Sequence, residues 1–180
     1  MKSGFHQFNT YLLLFLLTLA SGCQTPSEKK AAEKTKVKPD QEASTMEFFL
    51  EVNPDGTDRN HPIEVYRDHP ITINVMRTPF VETRDVEAAW VVDVLGGFSI
   101  KVQLKQPSGA RRLEQATTSY RGQRIAVGSQ FGEMRWLAAP RITNTIFNGE
   151  FFFTPDATRE EAERIVRGLN NVIKEGKKKQ

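Results

Sequence analysis

Residues 98–122 read FSIKVQLKQPSGARRLEQATTSYRG, and the hydrophobic period changes within them. Phe98, Ile100, Val102 and Leu104 fall on one side of an extended chain, and Ser99, Lys101, Gln103 and Lys105 on the other. That alternation predicts a half-buried antiparallel strand. After Pro107 the period lengthens. Ala110, Leu113, Ala116, Thr117 and Tyr120 recur at helical spacing, and Gly122 is a stop signal.

The surrounding sequence repeats this strand-then-helix order. Upstream, DVEAAWVVDV begins at Asp85, and Gly96-Gly97 separates it from the quoted strand, as in a hairpin. Earlier still, MEFFLEV (residues 46–52), IEVYR from Ile63 and ITINVM from Ile71 read as short strands around a turn-rich loop, NPDGTDRNHP. Downstream, QRIAVGS, EMRWLAAPRI and GEFFFT are strand candidates. The last helix is announced by Thr158 and Glu161, a T-x-x-E capping box. Ala162, Ile165, Val166, Leu169, Val172 and Ile173 then form one apolar stripe, and Gly176 is its expected end. The expected class is α+β: an antiparallel sheet with two helices packed on one face.

The N-terminus carries a different signal. Lys2 precedes an apolar run, and LLLFLLTLASGCQ (residues 12–24) ends in small residues before Cys23, the sole cysteine of 180 residues. That order is a secretory signal, and the run is too short to span a bilayer as a helix. Cleavage before Cys23 leaves a cysteine at the new N-terminus, which resembles a bacterial lipobox. The expected boundaries are a lipoprotein signal at 1–22, a lipid-anchored flexible tether at 23–45, a folded domain at 46–176 and a basic tail at 177–180. The tether lacks aromatics and has Val37 as its one long aliphatic residue, so it cannot bury a core. Acylation at Cys23, with palmitate among the chains, gives stable anchoring where a single chain is marginal.

The chemistry-bearing residues form no catalytic constellation. His61 and His69 flank a strand candidate, each before a proline, and read as loop residues. No histidine pair has zinc-ligand spacing. DGTDRN (residues 55–60) lacks the alternating ligands and distal Glu of an EF-hand. No metal or cofactor is expected. Net charge is +3, of which Lys2 lies in the signal, and this weak excess does not point to nucleic acid. Trp90 and Trp136 are expected in the core. Phe147, Phe151, Phe152 and Phe153 are the candidate binding residues. In a strand Phe151 and Phe153 face one way and Phe152 the other, so one face is core, and the other is either an exposed apolar patch for a partner or a second core face covered by a loop.

From about Thr78 to Lys174 the order of short motifs resembles the head of the large periplasmic domain of SecD, an accessory subunit of the bacterial protein-export channel. The residues are Thr83-Arg84-Asp85-Val86-Glu87-Ala88, then Gly109, Ala110, Leu113 and Thr117, then Gly122 with Ile125-Ala126-Val127. Gly132 with Ala139-Pro140-Arg141-Ile142 follows, and last Glu160-Glu161-Ala162. The sequence departs from that pattern at GSQFGE, at NGEFFF and at an inserted PDA before the last helix. The resemblance implies a SecD-head-like fold and an extracytoplasmic setting, here as a stand-alone lipoprotein. In that family the head has no catalytic residues and contacts emerging polypeptide, while proton coupling resides in transmembrane helices. No segment after Cys23 approaches 18 apolar residues in the sequence.

The functional expectation is therefore a non-enzymatic lipoprotein of the cell envelope, facing the periplasm or the exterior. It is held to the membrane through lipid at Cys23 and contacts translocating polypeptides or envelope and export proteins. The alternative is a structural or assembly lipoprotein with an unrelated envelope partner.

Overall fold

A computed structural model describes residues 38–178. The expected signal, Cys23 and the first part of the expected tether lie outside the described residues, as do Lys179 and Gln180. The strands are β1 (Thr45–Leu50), β2 (Asn60–Val65), β3 (Ile71–Met76), β4 (Val86–Val94) and β5 (Gly97–Leu104), then β6 (Ile125–Phe131), β7 (Glu133–Ala138) and β8 (Glu150–Phe153). Helix α1 (Ser108–Ser119) follows β5, and α2 (Arg159–Lys178) closes the chain.

All strand pairs are antiparallel, and the architecture is α+β, as the period change predicts. The strands divide among three sheets, ordered β1-β6-β7, β2-β3 and β4-β5-β8. The divisions have local causes. Residues 80–81 bond the backbone of Phe48 beside β1, and the side chain of Asn170 occupies the outer edge of β4. Hairpin β2-β3 joins β1 through a single bridge, Glu51 to Val75.

Both helices bury their stripes in one core. Leu113 and Ala116 of α1 and Ala162, Ile165 and Leu169 of α2 meet Phe48, Ile100, Leu104, Ile125 and Leu137 there. Each large apolar side chain so buried contributes roughly 1.5–3 kcal/mol. Glycine is needed at position 109. A Cβ there would lie 2.9 Å from the Asp85 carbonyl oxygen and 3.1 Å from Leu104 Cβ, so α1 rests directly on that corner. Asp85 is buried and accepts from the Glu82 N–H at 3.0 Å and from Arg112 at 2.7 Å. Thr83 bonds the backbone of Met46.

A second, smaller core lies between hairpin β2-β3 and the other side of β1 and β6. It contains Phe49, Ile63, Val65, Ile73, Val75, Ala126 and Ala139. Trp136 packs against it, edge-on to Phe49 at 5.1 Å between ring centroids. Trp90, expected in the core, is 46% exposed, because neither helix covers the outer face of β4.

The folded region also begins before the expected Met46. Pro39–Gln41 form one 3-10 turn, and Glu42 and Ser44 are buried against α2. Polar contacts hold this segment, so an apolar count missed it. Helix α2 runs past Gly176 to Lys178, where Lys177 pairs with Glu87 at 2.6 Å and basic residues favour the helix C-terminus. At its start, Thr158 accepts from the Glu161 N–H at 3.2 Å, the first half of the expected capping box. The Glu161 carboxylate instead bonds Arg135 and lies 3.7 Å from Arg67.

Candidate functional site

A groove of about 620 Å³ lies beside β8. Residues 140–148 form one wall, Glu150, Phe151 and Phe152 the other, and Thr117 and Ile125 lie at its base. The first wall is fixed by backbone bonds between Ile142 and residues 122 and 123. Farther along, the buried Thr117 hydroxyl accepts from the Ile146 N–H at 3.0 Å. Gln106 donates to the Asn148 carbonyl at 3.1 Å.

The four candidate phenylalanines separate by strand alternation. Phe151 and Phe153 pair with Val102 and Ile100, point into the main core and are 5% and 3% exposed. They are therefore not available to a partner. Phe152 points the other way and is 49% exposed, and Phe147 is 70% exposed. Phe152 sits in a cross-strand row with Lys101 and Trp90. The Lys101 ammonium lies 5.5 Å from the Phe152 ring centre and 5.8 Å from that of Trp90, while donating to Glu150 at 2.7 Å. This row follows from the register of three strands, which no single segment reveals.

The other motifs have structural uses. Asp55 Oδ1 accepts from the Thr57 hydroxyl at 2.7 Å, the Thr57 N–H at 2.9 Å and Asn60 at 2.6 Å. The Thr57 side chain, and then its backbone, draw the carboxyl down to about 2. This is a self-satisfied turn. His69 is exposed, whereas His61 lies within β2 and is half-buried. Among the described residues no three His, Cys, Asp or Glu side chains gather to hold a metal ion. No helix among them is long and apolar enough to cross a membrane.

No protein-family model matches the chain, and no curated protein matches it. Solved structures do. One is of SecDF, described as a membrane component that enhances protein export, at 17% identity and a TM-score of 0.53. The match covers 82% of this chain and 69% of that one. A crystal structure of SecDF in a super-membrane-facing form matches at the same identity and TM-score, over 82% of this chain and 21% of its own length. The fold is thus that of an α+β domain built on antiparallel strands. Within that class it is SecD-like.

Proposed function

We propose that this chain is a lipid-anchored extracytoplasmic protein whose SecD-like domain binds polypeptide, without catalysis, during or after export. The observation that carries this reading is the groove beside β8, with Phe147 and Phe152 exposed at its wall. Exposed aromatics beside a concavity favour an apolar occupant. The likeness to SecDF supports an export setting, and Cys23 with its preceding apolar run supports the anchor.

The test is photocrosslinking in cells, with a benzophenone residue placed singly at 147 and 152. Position 134, on β7, is the control because Met134 is 47% exposed away from the groove. Exported chains or export-channel subunits captured from 147 and 152, and not from 134, are expected. Capture of none from either groove position overturns the reading. Capture of one stable envelope protein alone favours an assembly lipoprotein instead.

A further inference from the structure

We propose that β8 accepts an added strand: an extended polypeptide segment without basic side chains that lies in the groove and hydrogen-bonds the free backbone edge of Phe152. This rests on the polypeptide-binding reading and specifies how the segment is held.

The backbone geometry points to it. The Leu104 N–H donates to the Gly149 carbonyl at 2.9 Å, and the register continues as Val102–Phe151 and Ile100–Phe153. Along an antiparallel ladder the bonded pairs alternate. Phe151 and Phe153 therefore bond β5, and the N–H and C=O of Glu150 and Phe152 face away from it. The Glu150 N–H is capped by Asn148 Oδ1 at 3.0 Å. The N–H and C=O of Phe152 have no partner among the described residues, because β8 pairs with β5 alone.

The two edges of this sheet are treated differently. On β4 the outward groups of Ala89 are bonded by Asn170. On β8 the outward groups of Phe152 border a groove. Edges are commonly blunted with proline or an inward charge, and EFFF has neither at its centre. An unpaired strand edge recognises another extended backbone, with alternate side chains in flanking pockets.

Charge narrows the occupant. Glu150 is neutralised by Lys101 at 2.7 Å, and Arg141 donates to the Gly122 carbonyl. Arg141 has no carboxylate partner among the described residues, so the one uncompensated charge on the groove lining is positive, and a segment without lysine or arginine is the complementary one.

The probe is an acetylated, amidated heptapeptide of alternating threonine and valine, added to the purified full-length chain in detergent. At saturation the Phe152 amide is expected to exchange at least about tenfold more slowly. The amides of Phe151 and Phe153, already bonded to β5, are expected to be unchanged. In parallel, Phe152→Pro removes the edge N–H and Phe152→Ala keeps it. The proline variant is expected to bind at least about tenfold more weakly than the alanine variant. If the peptide shifts Phe147 resonances while Phe152 exchange is unchanged, strand addition is wrong and the groove reading stands. If it shifts no groove resonance, both are wrong. Equal affinity of folded Phe152→Pro and Phe152→Ala also overturns strand addition.

Discussion

Asn170 grips both backbone groups of Ala89: its Nδ2 donates to the Ala89 carbonyl at 2.8 Å, and its Oδ1 accepts the Ala89 N–H at 3.1 Å. A side-chain amide on α2 thus stands where the peptide group of a neighbouring strand would be, and it ends the sheet at β4. Asn170→Ala leaves a donor and an acceptor unmatched in a part-buried position, a loss of about 1–3 kcal/mol. Urea unfolding measures it. An unchanged midpoint with an unchanged slope would show that water replaces the amide without loss.

Glu42 joins the segment before β1 to α2. Its carboxylate accepts from Arg164 at 2.9 Å and from Arg167 at 2.7 Å, and Asn171 bonds the Glu42 carbonyl at 3.0 Å. Burial alone would raise the Glu42 carboxyl, but hydrogen bonds from Arg167 and Arg164, with their charges, hold it below its ordinary 4.5. A carboxylate lowered on folding stabilises the charged state. The contribution is full above 4.5 and is lost as pH falls through the folded value. Protection of residues 38–44 against amide exchange, taken relative to the intrinsic rate at each pH, is therefore expected to fall in acid before that of β5. Glu42→Gln should show the acid behaviour already at neutral pH. Gly168→Val should do the same at every pH, because a Cβ at 168 would lie 3.0 Å from the backbone of Ala43 and Ser44.

Thr117 ties α1 to the groove wall. Its hydroxyl donates to the Leu113 carbonyl at 2.7 Å while accepting from the Ile146 N–H. Valine has the same shape and no acceptor. Thr117→Val is expected to destabilise by about 1–2 kcal/mol, with faster exchange at Ile146, and Thr117→Ser to restore both. If Thr117→Val leaves Ile146 exchange unchanged, the wall is held by the bonds of Ile142 to residues 122 and 123 instead.

The parts of the fold legible in the sequence are those written as local periodicity. The switch from two to 3.6 within residues 98–122 fixes β5 and α1, and the stripe from Ala162 to Ile173 fixes α2. The motif residues Thr83, Asp85 and Gly109 form the corner where β1, β5 and α1 meet, and Thr117, farther along α1, holds Ile146, so their order tracks the fold. What was not legible depends on how elements assemble. Trp90 reads as core until the outer face of β4 is found uncovered. Residues 38–44 read as tether because a carboxylate, a hydroxyl and backbone carbonyls dock them. The groove combines positions 117, 125, 140–148 and 150–152, which no local pattern joins.

Cys23 lies outside the described residues, and its proposed role is testable apart from the fold. Among the described residues burial begins at Glu42, well after position 23 in the sequence, and Cys23→Ser is expected to leave thermal unfolding of the domain unchanged. The same substitution should abolish incorporation of labelled palmitate and release the protein from membranes, since stable anchoring needs more than one acyl chain. Retained labelling would place the acyl group elsewhere and remove the anchor from the proposal.

The phenylalanines of β8 and its preceding loop give the sharpest separation of folding from binding. Phe151 lies 5.0 Å from Phe48 and 5.9 Å from Phe153, centroid to centroid, within the main core. Phe151→Ala and Phe153→Ala are each expected to lose about 3–5 kcal/mol. Phe147→Ser exposes no new cavity and is expected to stay within about 0.5 kcal/mol of the parent. Phe152→Ser gives up the contact with Lys101, which at an exposed site is worth about 0.5–1 kcal/mol. If polypeptide is held at the groove, each serine variant, carrying the benzophenone residue at the other of the two positions, loses crosslinking to exported chains while still unfolding cooperatively. Serine variants that crosslink as well as the parent would move the contact surface away from β8.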